Sequence, residues 1–247
     1  MRKSVQQHIG TAGLSALLSC CLPMALAAQD AVFAPPEGCT AYLTVQHRDC
    51  RVEHHYTCTD AGTDRFREVF TDEGPVYQSR IDAQAQWINS RELPNGGLTE
   101  TLLPARDHAS MDTLLETGAD TMDFEQRTPD GRLQRITGED RIVDRNVVID
   151  GEPLYRTEFV VNFLAPDGGV MGTYTGSEYV SPVHRRFFAG RGKAVFDGVE
   201  TSFDRTPKEF IYPGEPGFGA LEPVYDCGVM MSALEIVPSA GVSGVAR

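Results

Sequence analysis

Three histidines stand in one short stretch of the chain, His47, His54 and His55. A neutral imidazole is a good ligand for zinc or copper. Neighbours in a strand point to opposite faces, so His54 and His55 cannot grip one ion together without a bulge. In the simplest hairpin register His47 shares the face of His54, several pairs away. His47 and His54 are therefore the candidate ligands, and surface or half-buried histidines are the expected outcome, with no metal or other cofactor. His108 and His184 stand alone in the sequence.

Thiol chemistry reads more firmly. Of the six cysteines, Cys20 and Cys21 fall in an N-terminal apolar segment, leaving Cys39, Cys50, Cys58 and Cys227. An even count in an exported chain points to disulfides, and three pairings are open. Strands over 41–45 and 51–56, joined by Gln46-His47-Arg48-Asp49, place Val45 opposite Val52 and hence Cys39 opposite Cys58. This register favours Cys39–Cys58 with Cys50–Cys227. Zinc held by thiolates is the competing chemistry, but there is no C-x-x-C pair and the compartment is oxidising.

Nucleophilic catalysis needs Ser or Cys beside a His and an acid. There is no G-x-S-x-G elbow, and Gly176-Ser177-Glu178 lies in a strand-like stretch with no helix after it. No phosphate loop, dinucleotide fingerprint or calcium loop is present. Carboxylates are too plentiful for any one pair to stand out as a glycosidase dyad. Tyr155, Phe159 and Phe163 share one face of a strand and, with Trp87, are the candidate lining of a ligand cavity. A packed β core calls for the same residues, and is the more common use of them in small barrels.

These groups sit in a chain that reads as exported. Arg2 and Lys3 precede an uncharged stretch rich in Leu and Ala, and Ala25-Leu26-Ala27 makes a small-x-small cleavage site. Residues 1–27 are thus expected to be a signal peptide. Gly10, Gly13 and Pro23 make the run a poor permanent span. Leu17-Leu18-Ser19-Cys20 resembles a bacterial lipobox, so a lipid anchor through Cys20 is the alternative. Removing Arg2 and Lys3 takes the formal charge from -13 to -15. So acidic a chain lacks the basic face that nucleic acid requires. No later segment is long and apolar enough to span a bilayer as a helix.

The stretch CTAYLTVQHRDCRVEHHYTC, from Cys39 to Cys58, together with EYVSP and RRFFAG near residues 178–190, resembles a group of uncharacterised exported proteins of marine alphaproteobacteria. The resemblance runs over most of the mature chain. It implies export and β structure, and no activity.

The elements that position these residues are almost all strands. Candidate strands cover 65–71, 76–82, 85–90, 98–103, 121–127, 133–138, 147–150, 154–164, 170–180 and 186–189. They alternate with Asn-Gly and Asp-Gly pairs at 95–96, 130–131, 150–151, 167–168 and 197–198, which tolerate the positive φ of hairpin turns. One short helix is expected near 107–117, capped by Asp107 or Ser110 and ended by Gly118. The predicted fold class is mostly β: a large antiparallel meander curled into a half-barrel or a closed barrel, like lipocalins and periplasmic lipoprotein carriers. Residues 28–38 form an extended lead-in, 39–238 one β domain, and 239–247 a flexible tail. The expected function is that of a non-enzymatic periplasmic or secreted protein that binds an apolar small molecule or an envelope protein. A hydrolase with an unrecognised site, and a purely structural protein, are the alternatives.

Overall fold

A computed structural model describes residues 31–228. The signal peptide expected at 1–27, the lipobox-like stretch at Cys20 and the tail expected at 239–247 lie outside the described residues. In chain order the elements are β1 (Cys39–His47), β2 (Arg51–Cys58), β3 (Arg65–Thr71), β4 (Gly74–Ile81), β5 (Trp87–Glu92) and β6 (Leu98–Asp107). Then come α1 (Met111–Thr117), β7 (Ala119–Arg127), β8 (Leu133–Ile149), β9 (Glu152–Leu164) and β10 (Val170–Ser181). The last are β11 (Arg186–Phe196), β12 (Val199–Asp204) and β13 (Pro207–Ile211).

All 13 strands belong to one sheet, in the order β12 through β1 and then β13. Every pairing is antiparallel, so the sheet is a meander with one exception at its end. β12 pairs β11 at one edge, while β13 pairs β1 at the other. Only Arg205 and Thr206 separate those two strands in sequence. The sheet must therefore curl until its edges nearly meet. At the junction the Arg205 amide donates to Gly190 O at 2.9 Å and the Arg48 amide to Thr206 O at 3.0 Å. No ladder joins β12 to β13, so the curl is an open half-barrel.

The core confirms the curl. Leu43 and Val45 of β1 pack with Leu154 of β9, Phe188 of β11 and Phe210 of β13, bringing together strands from both ends of the order. A second cluster, Phe124, Ile136, Phe159, Val161 and Phe163, fills the middle of the long strands. α1 buries Met111 and Leu114 against Ala85 and Val180. Ser110 accepts from the Thr113 amide as N-cap, and Gly118 ends the helix at φ 90°.

The first hairpin differs from the predicted register. Val45 stands opposite Glu53, not Val52, and β1 continues through His47 to a turn at Arg48-Asp49-Cys50. A bulge at Tyr42, between Ala41 and Leu43, shifts the ladder by one and restores Cys39 opposite Cys58. The disulfides are Cys39–Cys58 and Cys50–Cys227. The second bridge anchors residues 212–227 against the turn. Three further departures concern strand limits. β8 is one continuous strand rather than two pieces, β11 runs on to Phe196, and β12 and β13 are additional.

Candidate functional site

Strict alternation along β2 sends Glu53 and His55 to one face and Val52, His54 and Tyr56 to the other. The second face is roofed by the two ends of the described chain. The Phe33 ring stacks on His54, centroids 4.4 Å apart, and Gly219 N donates to Thr44 Oγ1 at 2.9 Å. The Gln46 amide donates to Glu222 O and accepts from Val224 N, each at 3.1 Å. His54 Nδ1 lies 3.1 Å from Thr44 Oγ1, and burial drives its pKa down to about 4. His54 is thus a neutral, packed ring under a lid of chain.

The inner face carries a sealed charge cluster. His47 Nε2 and His55 Nε2 lie 3.5 and 3.4 Å from the same Glu53 oxygen, Oε2. Arg67 of β3 donates to the other oxygen, Oε1, at 3.2 Å. His47 Nδ1 sits 2.8 Å from Arg205 O, so its N–H donates to the carbonyl and the ring is fixed with Nε2 toward Glu53. Arg186 of β11, 3% exposed, donates to the Tyr42 hydroxyl at 3.1 Å. Phe188 closes edge-on over His55, which has no exposed surface. The structure therefore brings His47 together with Glu53 and His55, and not with His54 as the sequence register had it. The Tyr42 bulge is the reason.

Electrostatics keep Glu53 ionised. Burial alone would raise its pKa, but Arg67 first, then His47, outweigh burial and hold it well below the usual carboxylate range. His55 goes the other way: burial, then Arg186, keeps it neutral. Among the described residues no three His, Cys or acidic groups converge to hold a metal ion. The ladder explains this, because His47 opposes Arg51 whereas His55 opposes Leu43, so the two rings reach Glu53 from opposite ends.

A second set of inward groups faces this cluster from the other half of the sheet. Asp120 of β7 stands directly opposite Asp140 of β8. Glu178 of β10 lies on the same face, two strands on. Burial, then Asp120 and Glu139, raises the pKa of Asp140; burial, then Asp140, raises that of Glu178, against the pull of Arg67. Among the described residues, Asp140 Oδ1 is sealed from solvent and receives no hydrogen bond. Arg67 belongs to β3 and Glu178 to β10, far apart in the order, so they feel each other only across the interior of the curl.

The aromatic candidates separate. Phe159 and Phe163 lie in the central cluster, where Trp87 meets Phe124 edge-on at 5.7 Å. Tyr155 packs elsewhere, beside the α1 cluster, with the Arg145 guanidinium 5.0 Å over its ring. The isolated histidines both find acids. His184 Nε2 lies 3.1 Å from the Tyr212 hydroxyl, which donates to Glu152 at 2.7 Å, and Ser181 also donates to Glu152. That Ser–acid contact bypasses the imidazole, unlike a catalytic triad, in which the base holds the nucleophile. His108 pairs with Asp82 at 3.0 Å near the surface.

Sequence reasoning missed Glu53, Arg67, Asp140 and Glu178. One signal was present: Glu53 and His55 are spaced by two in a strand, which places them on one face. Comparison with protein families, curated proteins and solved structures finds no match.

Proposed function

We propose that this chain is an exported, non-enzymatic envelope protein that holds a small molecule against the inner face of its curled sheet. The observation that carries the proposal is the state of Arg67. It points inward and is fixed by Glu53; its Nε is sealed and without a partner among the described residues, while 23% of its side-chain surface stays exposed. Tyr77 lies 5.5 Å from its guanidinium and Glu178 faces it. A concave face with a few fixed, reachable polar groups is the usual form of a small-molecule site. Two disulfides point to an oxidising, extracytoplasmic compartment, which supports the periplasm or the cell exterior as its place of work.

Burial favours binding over catalysis. Glu53, His47 and His55 are 5%, 1% and 0% exposed, and a general acid or base must touch the group it serves. The sealed cluster is better suited to clamping β1, β2 and β3 together, leaving the open groups to meet a ligand. An envelope protein as partner is the second proposal, favoured by Val160 of β9 and Val195 of β11, which stand exposed on the same, outer face of the sheet.

Native mass spectrometry of protein released gently from the envelope tests both. A small-mass adduct lost on unfolding is the expected result. A bare polypeptide argues against the first proposal, and a stoichiometric protein adduct favours the second.

A further inference from the structure

We propose that the inner face binds an organic cation, a primary amine or diamine, between the carboxylates of Asp140 and Glu178. This rests on the small-molecule proposal above and names its ligand class. The two acids flank β9 on one face of the sheet, and Asp120 extends the row beyond Asp140. Between the two acids β9 places Phe159, opposite Asp140 on one side and Gly176 on the other. An aromatic ring set between carboxylates suits an ammonium group.

The row has acceptors to spare. Among the described residues no donor meets Asp140 Oδ1, and no hydrogen bond holds the Glu178 carboxylate. The basic side chains that face the row are Arg67, which Glu53 already engages at 3.2 Å, and His108, which lies 3.0 Å from Asp82. Ionising both acids therefore calls for a positive charge from outside. A metal ion fits poorly, because among the described residues no three such groups converge at coordination distance. A larger cation with several N–H donors matches carboxylates spread over separate strands. The chain's formal charge of -13 draws cations toward it.

Burial, with the neighbouring acids Asp120, Glu139 and Glu53 and against the single cation Arg67, leaves the empty pair holding protons toward neutral pH. An arriving ammonium reverses that preference, so binding expels protons.

The test is calorimetric titration of the full oxidised protein with putrescine and with spermidine, in two buffers of different ionisation enthalpy. The expected result is saturable one-to-one binding with proton release, strengthening as pH rises from about 6 to about 8. Asp140→Asn and Glu178→Gln each weaken it about tenfold or more. Glu158→Gln, on the outer face beside Arg156, leaves it unchanged. Absence of saturable binding at millimolar amine, binding indifferent to both inner-face variants, or binding without proton release overturns the proposal. If a variant does not fold, the proton release of the unaltered protein and its pH dependence decide. An apolar or neutral adduct in the native mass spectrum, with no amine binding, keeps the small-molecule proposal and overturns this one.

Discussion

Glu53 and His55 sit two residues apart on one face of β2, and the imidazole Nε2 lies 3.4 Å from the carboxylate Oε2. Two guanidiniums, those of Arg67 and Arg186, complete their surroundings. Glu53 is the ionised acid in this sealed group. Glu53→Gln therefore strands buried positive charge, a change that costs about 3–5 kcal/mol. Urea unfolding at neutral pH measures it. A loss within about 1 kcal/mol would show that the cluster does not hold the strands.

Acid should undo the same cluster. The folded pKa of Glu53 is depressed, so its contribution is fully present above the unfolded value of about 4.3 and is lost as pH falls toward the folded value. His54 and His55, kept neutral by burial, act in the same direction, since the unfolded rings take up protons from about pH 6.5 downward. Urea midpoints should fall steadily below that pH, and the Glu53→Gln variant should lose the steepest part of the fall. A midpoint flat from neutral to about pH 4 would contradict these assignments.

Glu178 and Asp140 should tilt stability the other way. Their folded pKa values are raised, so the folded state holds more protons than the unfolded one, and stability is lost as pH rises from about 4 through neutrality. In ligand-free protein, Glu178→Gln removes that penalty. The variant should be more stable by about 1 kcal/mol or more near pH 8, with little change near pH 5. A pH-independent difference would mean that Glu178 is ordinarily solvated.

The two disulfides should differ in worth. Cys39–Cys58 spans 19 residues and Cys50–Cys227 spans 177. Chain-entropy arguments give about 3 kcal/mol for the shorter loop and about 5 for the longer. Replacing Cys50 and Cys227 by Ala should also release the roof over β1. Hydrogen exchange should then quicken at Val224 and Gly219, whose amides bond Gln46 and Thr44. Unchanged exchange there would mean that packing alone seats the segment.

Much of the fold was legible because its signals are local. Ser110 and Gly118 bracket the helix as their side chains and φ preferences dictate. Asp150-Gly151 and Asp197-Gly198 both take positive φ in tight hairpin turns. The strands that escaped notice lack an apolar signature. β12 reads Val-Glu-Thr-Ser-Phe-Asp, and β13 opens on Pro207. β8 looked interrupted because Glu139-Asp140-Arg141 breaks its apolar pattern, and Asp140 is the residue of that break that turns inward to the candidate site. β11 appeared to stop at Ala189 because glycines follow. A Cβ at Gly190 would lie 2.4 Å from Ser177 O, and one at Gly192 would lie 2.6 Å from the Phe203 ring, so closeness of neighbours explains both. The His47–Glu53–His55 grouping was hidden by one bulged residue, Tyr42. A single-residue shift exchanges faces throughout a hairpin.

On this account the concave inner face, between Arg67 on one side and Asp140 and Glu178 on the other, is a binding surface. The most direct measurement is a high-resolution crystal structure of the protein purified from the envelope without added ligand. Non-protein density touching the Asp140 and Glu178 carboxylates is the predicted result. A direct hydrogen bond between those two carboxyls, with ordered water alone filling the rest of the face, would contradict it.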